Sequence, residues 1–163
     1  MIRAWRICAA QYASDPISGI GAYLFGGRWN SPGVHMVYAA TSRALSMLEI
    51  RVHTEVATAP RNHVVLPLDV PDRLVATLDA ATLPSDWRRF PAPSALAAYG
   101  DGWVRSRESL GLLVPSAVVP EELNLLLNPK HPDLSQVVIG DATPVQYDPR
   151  LFTVLAPPPD EAG

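Results

Sequence analysis

Apolar and polar residues alternate from Ile2 to Ile7, which predicts a first strand with Arg6 standing among apolar neighbours. From Ser14 to Gly33 the pattern dissolves into turn residues, Asp15-Pro16, Gly19, Gly21, Gly26-Gly27 and Ser31-Pro32-Gly33, and a long irregular loop is expected. A loop of this length inside a compact domain is usually functional. Val34 to Ala40 reads as a buried strand, and Thr41 or Ser42 supplies a cap for the helix that follows. On that helix Ala44, Leu45, Leu48 and Val52 share one face and Glu49 falls on its edge, while Met47 and Ile50 make the far side apolar as well. A helix apolar on both sides predicts cover on both sides, by the fold or by another chain.

The second half continues with strands at His63 to Val70 and Leu74 to Leu78, a proline-bounded loop from Pro84 to Pro93, and a helix from about Pro93 to Arg107 that contains Gly100 and Gly102. Leu110 to Val119 reads as an apolar strand interrupted at Pro115, where the missing ladder donor predicts a bulge or an edge that exposes Ser116. Pro120 to Asp133 opens like a short helix, with Glu121 and Glu122 in its first turn and Pro129 as its stop. Val137 to Ile139 and Phe152 to Leu155 read as closing strands, and residues 156–163 as a flexible tail. No internal repeat or linker divides the chain, so a single mixed α/β domain over residues 1–155 is expected.

Composition narrows the function classes. A chain of 163 residues buries about two thirds of its unfolded surface without a metal or a disulfide. The net charge of -3 offers no basic footprint, which argues against direct nucleic-acid binding. Cys8 is the single cysteine, so no disulfide forms within the monomer and a reducing cytoplasm fits best. Met1 to Ala13 has too short an apolar core for a secretion signal, and no apolar run approaches the ~20 residues of a membrane span.

The chemistry concentrates at Gly26-Gly27-Arg28-Trp29-Asn30. Two glycines permit a tight bend or a close backbone approach, and the forked guanidinium of Arg28 suits two oxygens of a phosphate or carboxylate. An arginine paired with a neighbouring carboxylate beside a glycine turn is the plainer alternative. Gly19-Ile20-Gly21 is followed by Leu24 where a dinucleotide fingerprint needs its third glycine, so a Rossmann site is excluded.

The run GGRWN, followed by Val37-Tyr38-Ala39, Ala44 to Glu49, Val114 to Pro120, Asn124, Asn128 to Pro132 and Asp148 to Leu151, resembles the RES domain family, named for an arginine, a glutamate and a serine. By order and context these look like Arg28, Glu49 and Ser116. The resemblance covers nearly the whole chain and is loosest over 57–102. It implies a fold similar to ADP-ribosyltransferases, a mixed sheet with flanking helices, and an NAD-consuming toxin restrained by a helix-turn-helix antitoxin of the Xre type. NAD would be substrate rather than cofactor. Cleaving its nicotinamide–ribose bond leaves positive charge on the ribose, which gives Glu49 a reason to be there. Arg28 would meet the diphosphate, with Gly27 and Asn30 beside it. Tyr38 would stack on nicotinamide with its hydroxyl free for a polar contact, and Ser116 would orient a ribose or amide group.

Other chemistries fare worse. Ser116 lacks the glycine context of a nucleophile elbow, His131 and Asp133 near Asn128 fit local turn bonding better than metal ligation, and His35, His53 and His63 have no ligand spacing. Cys8 reads as packing. Water, phosphate or a protein side chain could each accept the ADP-ribose, and a catalytically inactive module that only binds an antitoxin is the alternative of another class. An antitoxin docking over Met47 and Ile50 would block the adjacent cleft.

Overall fold

A computed structural model describes residues 1–54 and 59–152. Its strands are β1 (Ile2–Ala9), β2 (Val37–Ala40), β3 (His63–Val70), β4 (Val75–Thr77), β5 (Gly111–Pro115), β6 (Leu123–Leu127), β7 (Val138–Ile139) and β8 (Thr143–Pro144); its helices are α1 (Ile20–Phe25), α2 (Arg43–Val52) and α3 (Ser94–Ser106). The strands form one mixed sheet in the order β4-β5-β6-β2-β1-β3-β7, with β8 also on β3. Only β4 and β5 pair in parallel; the other neighbours are antiparallel.

The middle of the sheet is covered on both faces. Leu125 and Leu127 of β6 join Ala4, Val37, Ala39 and Leu68 in one apolar cluster, whereas Leu126 faces Trp29, Met36, Leu96, Trp103, Leu112 and Val114 in the other. This explains why β6 departs from the short helix expected there. Three successive leucines suit a strand buried on both faces, and pairing with β2 and β5 overrides the helix-like Glu121-Glu122 start.

Three further expectations change. The loop from Ser14 to Gly33 contains α1, a six-residue helix entered from Gly19 and left at Gly26, both at positive φ (68° and 70°). On α2 the buried positions are Leu45 and Ser46, while Ala44 and Val52 lie exposed, because the helix turns its Ser46–Glu49 side toward the sheet. Phe152 closes a 3-10 turn from Pro149 instead of starting a strand, and the remainder of that expected strand and the tail 156–163 lie outside the described residues. The cap of α2 is Ser42, whose Oγ accepts from the Leu45 amide at 3.0 Å and donates to Glu122 at 2.7 Å. That pair pins the start of α2 to the entry of β6.

Helix α3 forms across both of its glycines, and Gly100 has a structural reason. A Cβ there would stand 1.8 Å from the Trp29 carbonyl oxygen. One turn position on, Asp101 accepts from the Ser31 amide at 3.0 Å. The helix is the buttress on which the GGRWN loop rests. Among the described residues no helix is long and apolar enough to cross a membrane.

Candidate active site

A cleft of about 580 Å³ opens between the GGRWN loop, the β1–β2 strands, α2 and the 84–93 loop. Its lining includes Arg6, Arg28, Tyr38, Glu49, Arg88 and Asn124. Such a volume suits a small-molecule ligand. Three arginines against one carboxylate give the lining an excess of positive charge.

The Glu49 carboxylate is held by one oxygen. Ser116 Oγ donates to Oε1 at 2.7 Å and Asn124 Nδ2 donates to the same atom at 2.6 Å. The Ser116 hydroxyl itself accepts from the Val118 and Val119 amides, each at 3.0 Å, so its proton has one direction left, toward Glu49. No hydrogen bond among the described residues uses Oε2. One oxygen is anchored and the other is available to the cleft.

Ser116 is therefore not the exposed bulge residue that Pro115 predicts. It is fully buried at the end of β5, its amide donating to the Glu122 carbonyl at 3.0 Å as the chain turns back into β6. It does not line the cleft; it positions the residue that does.

Tyr38 presents its ring to the cleft but its hydroxyl is spent. It donates to Asn30 Oδ1 at 2.7 Å and accepts from the Trp29 amide at 3.1 Å, contrary to the free hydroxyl expected. Burial pushes its pKa well above the ordinary phenol value, keeping the donor protonated. Gly27 makes this possible, since a Cβ there would sit 2.6 Å from the Tyr38 oxygen. Asn30, expected at the ligand, is buried and outside the lining; its Nδ2 donates to the Ala22, Ser31 and Val34 carbonyls. It folds the loop and touches no open space.

Arg28 lines the cleft and donates through Nη1 to the carbonyls of Trp87 (2.6 Å) and Arg89 (3.2 Å). Partial burial lowers its pKa while the charge of Glu49 acts in the opposite sense. The guanidinium ties the 84–93 loop to the GGRWN bend and, among the described residues, no hydrogen bond uses its Nε or Nη2.

Two further residues complete the site. Arg6 on β1 donates from Nη1 to the Tyr38 carbonyl at 2.9 Å, and its buried Nε has no hydrogen-bond partner among the described residues. Burial lowers its pKa as well. A desolvated guanidinium that lines a cleft attracts an anion. The signal was present in the sequence, an arginine inside an apolar strand. Asn124, in the same lining, has a buried Oδ1 with no hydrogen-bond partner among the described residues.

No group of three or more His, Cys, Asp or Glu among the described residues is arranged to hold a metal. His131 Nδ1 accepts from the Asp133 amide at 3.1 Å, which is local turn bonding. Cys8 is buried in β1, and burial raises its pKa.

Arg28 on the glycine bend and Glu49 on α2 thus line one cleft of a mixed α/β domain, with Ser116 buried behind Glu49. A model of the RES domain matches residues 3–148, and the chain belongs to that family. It is 43% identical over 153 residues to a "Prs ADP-ribosylating toxin" of Sphingobium sp. (strain YBL2), spanning 91% of this chain and 95% of that one. It is 38% identical over 149 residues to "Toxin Res" of Yersinia enterocolitica, spanning 90% and 97%. Among solved structures, a chain in the M. tuberculosis MbcT–MbcA toxin–antitoxin complex superposes with a TM-score of 0.72 at 25% identity, covering 92% of this chain and 86% of that one.

Proposed function

We propose that this protein is the toxin of a toxin–antitoxin pair and that it breaks the nicotinamide–ribosyl bond of NAD. The observation that carries the reading is the Glu49 carboxylate, anchored through Oε1 by Ser116 and Asn124 in a cleft that also presents Arg6 and Arg28. When the C1′–N bond breaks, its electron pair goes to the pyridinium nitrogen and neutral nicotinamide leaves. The ribose is left cationic, and a fixed carboxylate beside it stabilises that charge more than it stabilises the substrate. The two guanidiniums meet the diphosphate, and the Tyr38 ring offers a flat face to nicotinamide.

The ADP-ribosyl group then forms a C–O bond to water, which gives up a proton to solvent, or to phosphate; either way NAD is depleted. Transfer to a protein side chain is the second reading, and the ADP-ribosylating toxin of Sphingobium, matched over nearly its whole length, favours it. The restraint on such an enzyme is an antitoxin, which the resemblance makes one of Xre type and which the toxin–antitoxin complex of the structural neighbour supports. Ile50, expected on the far side of α2, lines the cleft with Glu49, so a partner seated there covers the catalytic side.

Incubation of the purified protein with NAD labelled in the adenylate part tests this. Release of nicotinamide supports the reading, and the label then separates ADP-ribose, its 1-phosphate and modified protein. Undiminished NAD, with and without phosphate and cell extract, overturns it.

A further inference from the structure

The 84–93 loop carries residues the reaction described above does not use. Trp87 packs inward against the cluster around Leu96 and Trp103, whereas the next residues turn outward. Arg88 and Phe90 both line the cleft, and Phe90 is 80% exposed. Arg88 Nε donates to the Ala117 carbonyl at 3.3 Å, so the loop reaches across to the segment that follows Ser116. The Arg89 carbonyl accepts from Arg28 Nη1, which places the Phe90 backbone one peptide bond from the guanidinium assigned to the diphosphate.

These positions have an order. Glu49 is assigned to the ribose that carries nicotinamide and Arg28 to the diphosphate, and an exposed aromatic ring lines the same cleft one residue after the carbonyl that holds Arg28. In a dinucleotide the group beyond the diphosphate is the second nucleoside. A nucleobase presents a π-face that stacks on an aromatic side chain or an arginine plane. A phenylalanine left 80% exposed in the lining of a cleft costs hydration unless something covers it.

We infer that Phe90, with Arg88 beside it, forms the subsite that holds the adenine of the dinucleotide by stacking. This rests on the cleft being an NAD site and goes beyond it by assigning the adenosine end to the 84–93 loop. Phe90 acts on binding, not on the chemical step at the ribose.

The test compares wild type with Phe90→Ala, a change at an exposed side chain, using NAD and nicotinamide mononucleotide, which ends at its phosphate, each as substrate or as competitor. KM for NAD should rise about 10-fold, kcat should hold, nicotinamide mononucleotide should be unaffected, and Phe90→Tyr should restore the wild-type values. Calorimetric affinity for ADP-ribose should fall by the same factor. Equal losses for both nucleotides, or none, overturn the assignment. So does an unchanged KM for NAD with less labelled protein, which would give the loop to the acceptor. If wild type releases no nicotinamide, the proposed reaction fails on its own, and ADP-ribose decides the subsite: Phe90-dependent binding keeps it, and Phe90-independent or absent binding overturns it.

Discussion

The two ends of the cleft are built differently. At the Glu49 end the groups sit on or at the ends of regular elements, α2, β5 and β6, and the anchored carboxylate oxygen, the serine hydroxyl and the asparagine amide are joined in one hydrogen-bonded set. At the Arg28 end the groups sit on loops, the acceptors are backbone carbonyls, and Phe90 and Arg88 face solvent. A carboxylate that must meet a developing charge gains from being fixed before the reaction begins, because it then costs no reorganisation. A mouth that must admit and release a dinucleotide gains from open side chains on a scaffold tied at a few points. The comparison predicts that changes at the first end act on kcat and changes at the second on KM.

The sharpest break is the double substitution Ser116→Ala with Asn124→Ala, which removes both donors to Oε1. The carboxylate loses its orientation, and kcat should fall by about 10²–10³ with a smaller change in KM. Steady-state kinetics on a variant of unchanged circular dichroism checks this; a pure KM effect would move Ser116 and Asn124 to the binding end.

Next in size is Gly100→Ala. Its Cβ has nowhere to go but the Trp29 carbonyl, so α3 and the GGRWN loop must part, at a cost of about 3 kcal/mol in denaturant unfolding. Gly102→Ala, with open space at that position, should instead gain about 0.5–1 kcal/mol in the same experiment. Equal effects at the two positions would remove the buttress role of Gly100.

Smaller again is Arg6→Gln, which keeps a donor toward the Tyr38 carbonyl but removes the charge. KM for NAD should rise about 10-fold, with kcat little altered. An unchanged KM would remove Arg6 from the diphosphate site.

Much of this site was legible in the residues because its marks are local: a glycine pair before an arginine, a serine cap before an amphipathic helix, a glutamate at the edge of the apolar stripe. What was hidden depends on distant partners. Leu123–Leu127 follows a helix-like PEE, and only pairing with β2 and β5 turns it into a central strand. Ser116 looked exposed because Pro115 breaks a ladder, yet the turn that follows folds over it. Asn30 sits among ligand-type residues, but its amide turns back on its own loop, a choice no spacing reveals. Gly100 and Gly102 both read as helix weaknesses; only the packing of Trp29 tells them apart.

The proposed reaction turns on an oriented Glu49 carboxylate beside the nicotinamide–ribose bond. Glu49→Gln keeps the size and the hydrogen-bond acceptor at Oε1 while removing the charge, so its rate of nicotinamide release from NAD, measured against wild type at matched thermal stability, is the most direct test. A fall of about 10²–10³ is predicted, and a folded Glu49→Gln protein that releases nicotinamide at the wild-type rate would contradict the account.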